Sequence, residues 1–235
     1  VEGAVSYAGE TLLYSATNAL VVIEPGGRIQ IPSFVSNIGT RLVMRSGSTI
    51  NCAVNNSINL RSPVEIHGDV TNAAWEWSPQ APFTLYGDIS GTGTIHRSPF
   101  SYNASSVYSN RYLGSVSPGL GGAGTITFVG GLYTGGTAVV LGEVGDPLLL
   151  NIENGDQVIA TTMDARVNLN ALDVKFLDTT TPGTTNWFLQ TANGFAGGAF
   201  NNIDWGIFNG YCVSNVLGME SYIGAVVMPE PALVL

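Results

Sequence analysis

The sequence predicts an all-β protein: a parallel β-solenoid, in the form of a right-handed β-helix, with a terminal hairpin. Three observations lead there. In residues 116–177, short runs of alternating apolar and polar residues (125–129, 138–141, 148–152, 157–160, 166–169 and 172–177) are separated by glycine, aspartate or asparagine. Each run has strand length and each separator has turn chemistry. No helical stripe of apolar residues lies between them, and 30 glycines with 11 prolines provide for many tight turns. Alternation of period two does not by itself separate a coil from two packed sheets, so a jelly-roll β-sandwich is the alternative fold.

Taken in order, residues 1–19 carry little pattern and read as an N-terminal arm or cap. A single solenoid domain is expected over residues 20–227. Two short strands flank Pro25-Gly26-Gly27, two more flank Ser46-Gly47-Ser48, and a third cycle turns at Ser62-Pro63. Ile66-His67-Gly68-Asp69-Val70 and Leu85-Tyr86-Gly87-Asp88-Ile89 share an apolar–x–Gly–Asp–β-branched pattern nineteen residues apart. A spacing near twenty suits one coil of a solenoid, whose apolar face is buried only against the next coil. About ten coils, each rising by the roughly 4.8 Å between paired strands, would give a rod on the order of 50 Å long.

Residues 73–82 and 98–117 break the rhythm and carry Trp75, Trp77, Phe100, Tyr102, Tyr108 and Tyr112, which reads as loops projecting from the coil. Beyond residue 177 the sequence predicts a strand at 187–190, a glycine-rich turn, and a closing hairpin from strands at 211–216 and 222–227. Residues 228–235 form a tail.

Charge is sparse. Only 11% of residues are charged while 45% are apolar, a balance opposite to that of disordered chains. A surface of Thr, Ser, Asn and Gly with few charges is poorly protected against association, which points to a polymer. The formal charge of −9, with Lys175 the only lysine, leaves no basic stripe for nucleic acid and disfavours an anionic membrane. No apolar stretch is long enough to span a bilayer. The start at Val1, without methionine or a basic n-region, predicts a leader already removed and a protein that acts outside the cell or on its surface. In such a compartment Cys52 and Cys212 form either one bridge across a long loop or two buried thiols.

Two stretches carry a family resemblance. Ser117-Pro118-Gly119, with Gly124-Thr125-Ile126-Thr127 and then Asp156-Gln157-Val158, resembles the β-helical region of autotransporter-type passenger proteins. In that pattern a Ser-Pro-Gly turn leads into an alternating strand, and an Asp-Gln strand opens the next layer. Trp187-Phe188-Leu189-Gln190 to Gly198-Ala199-Phe200 is similar to the ending of such regions. Met228-Pro229-Glu230-Pro231-Ala232 resembles the sorting signal of bacterial PEP-CTERM surface proteins, which are exported and associated with extracellular matrix. The membrane helix and basic cluster that follow the tripeptide in that family are absent here. The resemblance implies a bacterial exported protein and no particular reaction.

The candidate chemistry is thin. Asp69 and Asp88 could stack as an acidic pair in adjacent coils, but Gly-Asp is first of all a turn, and only Glu65 is a neighbouring carboxylate. His67 and His96 lack the spacing of a zinc site. No Gly-x-Ser-x-Gly elbow is present, and residues 119–124 lack the lysine of a phosphate loop. No catalytic residue, cofactor or metal is therefore expected. Trp75 and Trp77, with Asp69, Asp88 and Arg97, are the material for a polysaccharide contact; packing of the tryptophans is at least as good a reading. The expectation for function is a structural protein that polymerises head to tail with itself through β-edges or terminal strands. The residues expected to contribute are Val1, Val5, Tyr7, Val226, Val227, Met228, Leu233, Val234 and Leu235. A carbohydrate-binding or carbohydrate-cleaving β-helix, and a monomeric adhesin, are the alternatives.

Overall fold

The computed structural model describes residues 5–7, 10–12, 19–31, 40–52, 58–73, 83–97, 110–119, 121–129, 139–161, 167–178, 182–192 and 194–228. Within them the protein is all-β, and its strands stack in ladders that are almost entirely parallel. The first ladder runs through β1 (Val5–Tyr7), β3 (Ala19–Ile23), β5 (Thr40–Arg45), β8 (Val64–Ala73) and β10 (Ile89–Arg97). It continues through β12 (Ser115–Pro118), β15 (Leu148–Ile152), β18 (Leu172–Phe176) and β21 (Asn202–Asp204).

The second ladder begins with β2 (Glu10–Leu12), β4 (Arg28–Ile31) and β6 (Thr49–Cys52), then takes in the second halves of β8 and β10. From there it passes through β13 (Thr125–Val129), β16 (Gln157–Thr161) and β19 (Thr185–Thr191). Because β8 and β10 cross the corner unbroken, the two ladders form one sheet of 17 strands among the described residues. A third, shorter ladder joins β7 (Ile58–Leu60), β9 (Phe83–Leu85), β11 (Asn110–Tyr112) and β14 (Val139–Leu141). The pair β17 (Val167–Asn168) and β20 (Phe195–Ala196) stands apart from it.

Alternation makes the core. Inward residues line up across the first ladder as Val21, Leu42, Val64, Ile89, Val116, Leu150, Val174 and Ile203. Those from Val21 to Val174 are all buried, each worth about 1.5–3 kcal/mol when taken from water. Their partners on the other face, Ser115, Ser117, Asn151 and Lys175, are polar, so a slip of one residue would turn the core outward. Chain spent per layer is irregular: 21 residues from Val21 to Leu42, 25 from Val64 to Ile89, 34 from Val116 to Leu150.

Corners are glycine positions. Gly26, Gly47 and Gly68 turn the chain from first to second ladder with φ of 76°, 82° and 84°, a region where only glycine rests without strain. Gly47 donates its N–H to the Asp69 carbonyl at 2.6 Å, so backbone pairing continues around the bend. At Gly93 crowding adds to conformation, because a Cβ there would lie 1.9 Å from the Gly68 carbonyl oxygen.

Three expectations change. Parallel pairing excludes the jelly roll, whose sheets are antiparallel. The nineteen-residue echo is not a layer repeat: Gly68-Asp69 bends the first ladder into the second, whereas Gly87-Asp88 leads from β9 into β10. Gly68 in fact stands beside Gly93. Residues 98–117, expected as a loop, contain β11 and the start of β12; residues 74–82 and 98–109 lie outside the described part. The expected closing hairpin is present as β22 (Gly210–Leu217) and β23 (Glu220–Val227), antiparallel to each other, with β23 also antiparallel to β19.

Cys212 in β22 is a free thiol. Cys52 in β6 lies seven ladder steps away, about 34 Å at the strand spacing, far beyond the roughly 7 Å across which Cα atoms can be bridged.

Candidate functional site

Three places concentrate polar or unpartnered groups. The first is the outer face of β5 and β8. Glu65 points outward from β8 yet is only 8% exposed, because Arg41 donates to one carboxylate oxygen and His67 Nε2 lies 2.5 Å from the other. Arg45 stands beside His67 in the ladder. Burial, then Arg45 and Arg41, push His67 below its usual 6.5. A carboxylate held between two such groups is a tie between layers rather than a free base. Asp69 and Asp88 are not brought together. Asp69 faces His96 at 4.0 Å, while Asp88 accepts from the Ser115 hydroxyl at 2.7 Å. Among the described residues, no group of three or more His, Cys, Asp or Glu is placed to hold a metal. Nor is any helix there long and apolar enough to cross a membrane.

The second is the corner between β15 and β16. Asp156 is fully buried, with one oxygen accepting from Gly124 N at 2.9 Å and the other from Glu153 N at 2.8 Å. Burial pushes this carboxyl up to about 6, against the two backbone donors, which pull it down.

The third is the pair of ends. At the N-terminal end, no described strand pairs with the outer edges of β1 and β2. At the C-terminal end, β21 lies one step beyond β18 while β22 lies two steps beyond β19, so the end is a ledge. The inner face of β22 carries Gly210, Cys212, Ser214 and Val216, in register with the buried Val227, Ala225, Ile223 and Ser221 of β23. No described strand of the first ladder stands opposite β22, and Val216 is accordingly 67% exposed. Beneath lies an open apolar cavity of about 280 Å³, with Leu169, Phe200, Ile203, Cys212 and Ile223 in its wall. In the turns before and after β22, Ile207 and Met219 are 89% and 84% exposed. An aromatic run supports the floor: Trp205 stacks on Phe176 at 4.6 Å, and Phe176 and Phe200 both pack on Phe188.

Of the residues expected at assembly contacts, Val5 and Tyr7 lie in β1, at the N-terminal edge. Val226 and Val227 lie within β23 between two strands, with Val227 buried, and Met228 follows half-exposed. Val1, Leu233, Val234, Leu235, Trp75 and Trp77 lie outside the described residues. Sequence reading missed Phe200, Ile203 and Cys212 as cavity residues and Val216 as an exposed one; the 211–216 strand was visible, but not that its inner face would have no opposing layer among the described residues. Comparison of the chain with known families, characterised proteins and solved structures finds no match.

Proposed function

We propose that the ladders close into a right-handed β-helix and that the protein is a structural subunit, assembling with its own copies into an extracellular filament or matrix polymer. The observation that carries this reading is the presence, among the described residues, of unpaired strand edges at both ends of one stack. An unpaired edge is a template for another chain, normally blunted by charge, proline or a cover. Right-handed winding follows from the strong preference of parallel crossovers for that hand. Recurrence of the ladders in the order first, second, third along the chain supports closure. Export rests on the likeness of residues 228–232 to a sorting signal.

Light scattering coupled to size exclusion, with negative-stain imaging across a concentration series, tests the reading. Rods that lengthen with concentration are expected; a monomer of constant mass at every concentration overturns it.

A further inference from the structure

We infer that Asn154 is a self-modification site: it converts to aspartate or isoaspartate through attack by the backbone nitrogen of Gly155, and the change loosens a corner where three layers meet. This chemistry does not depend on self-assembly.

The corner is built like two others. Glu24-Pro25-Gly26-Gly27, Arg45-Ser46-Gly47-Ser48 and Glu153-Asn154-Gly155-Asp156 each turn the chain from the first ladder into the second. In each, the N–H of the fourth residue donates to the carbonyl of the first, at 2.8, 3.0 and 3.1 Å. The third residue is glycine, with φ of 76°, 82° and 87°, as a turn of this form demands. The second position is open to choice, since proline and serine serve there as well as asparagine. Asn154 therefore brings a chemistry that the turn does not need.

The glycine nitrogen sets this corner apart. Gly26 N–H donates to the Gly47 carbonyl at 3.3 Å and Gly47 N–H to the Asp69 carbonyl at 2.6 Å, so the next layer holds both. Among the described residues no acceptor takes the Gly155 N–H. Asn154 and Gly155 are both exposed, and residue 155 has no side chain to crowd the approach. The nitrogen is free to turn toward the Asn154 side-chain carbon, which an intramolecular attack requires. A bond forms from Gly155 N to Asn154 Cγ, and the side-chain nitrogen leaves as ammonia. Water then opens the five-membered imide at either carbonyl, giving aspartate or isoaspartate; no other reactant is consumed. A second Asn-Gly step, Asn209-Gly210, is held in place. There the Met228 N–H donates to the Asn209 carbonyl at 2.8 Å, and Gly210 lies in β22 against the Trp205 ring.

The consequence falls on contacts between layers. Asn154 N–H donates to the Asp178 carboxylate of the following layer at 2.7 Å, while Asp156 accepts from Gly124 of the preceding one. Reaction adds a carboxylate to a corner that already holds Glu153, Asp156 and Asp178, and like charges repel. Isoaspartate also lengthens the main chain by one carbon inside a tight turn.

Full-length protein is aged in mildly alkaline buffer, folded or in urea, and each asparagine is followed by peptide mass mapping with fragmentation that separates isoaspartate from aspartate. In the folded protein Asn154 is expected to react about tenfold or more faster than Asn209; in urea the two should react alike. Ser46→Asn places the same pair at a corner whose glycine N–H is held, and that position should stay as slow as Asn209. Aged wild type should melt about 3 °C or more below fresh protein. Asn154→Ser, which copies the corner at Ser46, should melt like fresh wild type and lose nothing on ageing. Asn154 that persists in the folded protein while reacting in urea overturns the inference. A Ser46→Asn variant that reacts there as fast as Asn154 overturns the role given to the free nitrogen, and converted protein with unchanged melting overturns the loosening.

Discussion

Asp156 joins two layers: its carboxylate accepts from the backbone N–H of Gly124, 32 positions earlier in the chain, and from Glu153 within its own turn. Loss of the carboxylate strands both donors in a buried corner. Asp156→Ala is expected to cost about 2–3 kcal/mol in urea denaturation.

The same group sets a pH dependence. Its folded-state value of about 6 lies above the ordinary 3.8, so between these values the native state binds more protons than the unfolded one. The stability this group contributes is present below about pH 3.8 and is lost as pH rises through about 6, by on the order of 2 kcal/mol. Asp156→Asn should be less stable than wild type and should flatten this part of the profile. Parallel profiles for the two proteins would rule the assignment out.

His67 has the opposite sign. Burial and the neighbouring Arg45 and Arg41 hold its folded-state value below 6.5, so its contribution to stability grows as pH rises through that region. Arg45→Gln removes one of the two cations and should move the His67 titration upward in an NMR experiment; an unchanged midpoint would show that Arg45 is not a cause.

Two positive-φ glycines should differ sharply on substitution. Gly26 has φ of 76° with open space where a Cβ would go, whereas at Gly93 a Cβ meets the Gly68 carbonyl oxygen at 1.9 Å. Gly26→Ala is expected to cost about 1 kcal/mol, and Gly93→Ala about 3 kcal/mol or more, since backbone must move. Equal losses in thermal melts would contradict the close approach.

Ser48 is a defect in the core. Its side chain is fully buried and its hydroxyl has no hydrogen-bond partner among the described residues, in the inward column that continues as Val70 and Ile95. Ser48→Ala should raise stability by about 1 kcal/mol. A clear loss in calorimetry would mean that the hydroxyl is satisfied.

Much of the strand pattern was legible because burial alternates with period two. The runs at 125–129 and 148–152 coincide with β13 and β15, and the closing hairpin was placed within a residue or two. Layer partnership was not legible. The chain spends different lengths between layers, so the nineteen-residue Gly-Asp echo aligned two different corners. The Arg41–Glu65 pair and the Asp156 clamp link positions 24 and 32 apart, and no local pattern reports which layers will touch. That no described strand stands opposite β22 depends on how the layers end, which no single segment encodes.

The uneven amount of chain between stacked residues, 21 in one place and 34 in another, has an evolutionary consequence. Register is kept by the inward column, so an excursion at the rim can lengthen at an entropic cost that grows only with the logarithm of its size. Such a spine tolerates new surface features without retuning its interior, and variation there can change what the protein displays while the backbone underneath stays the same.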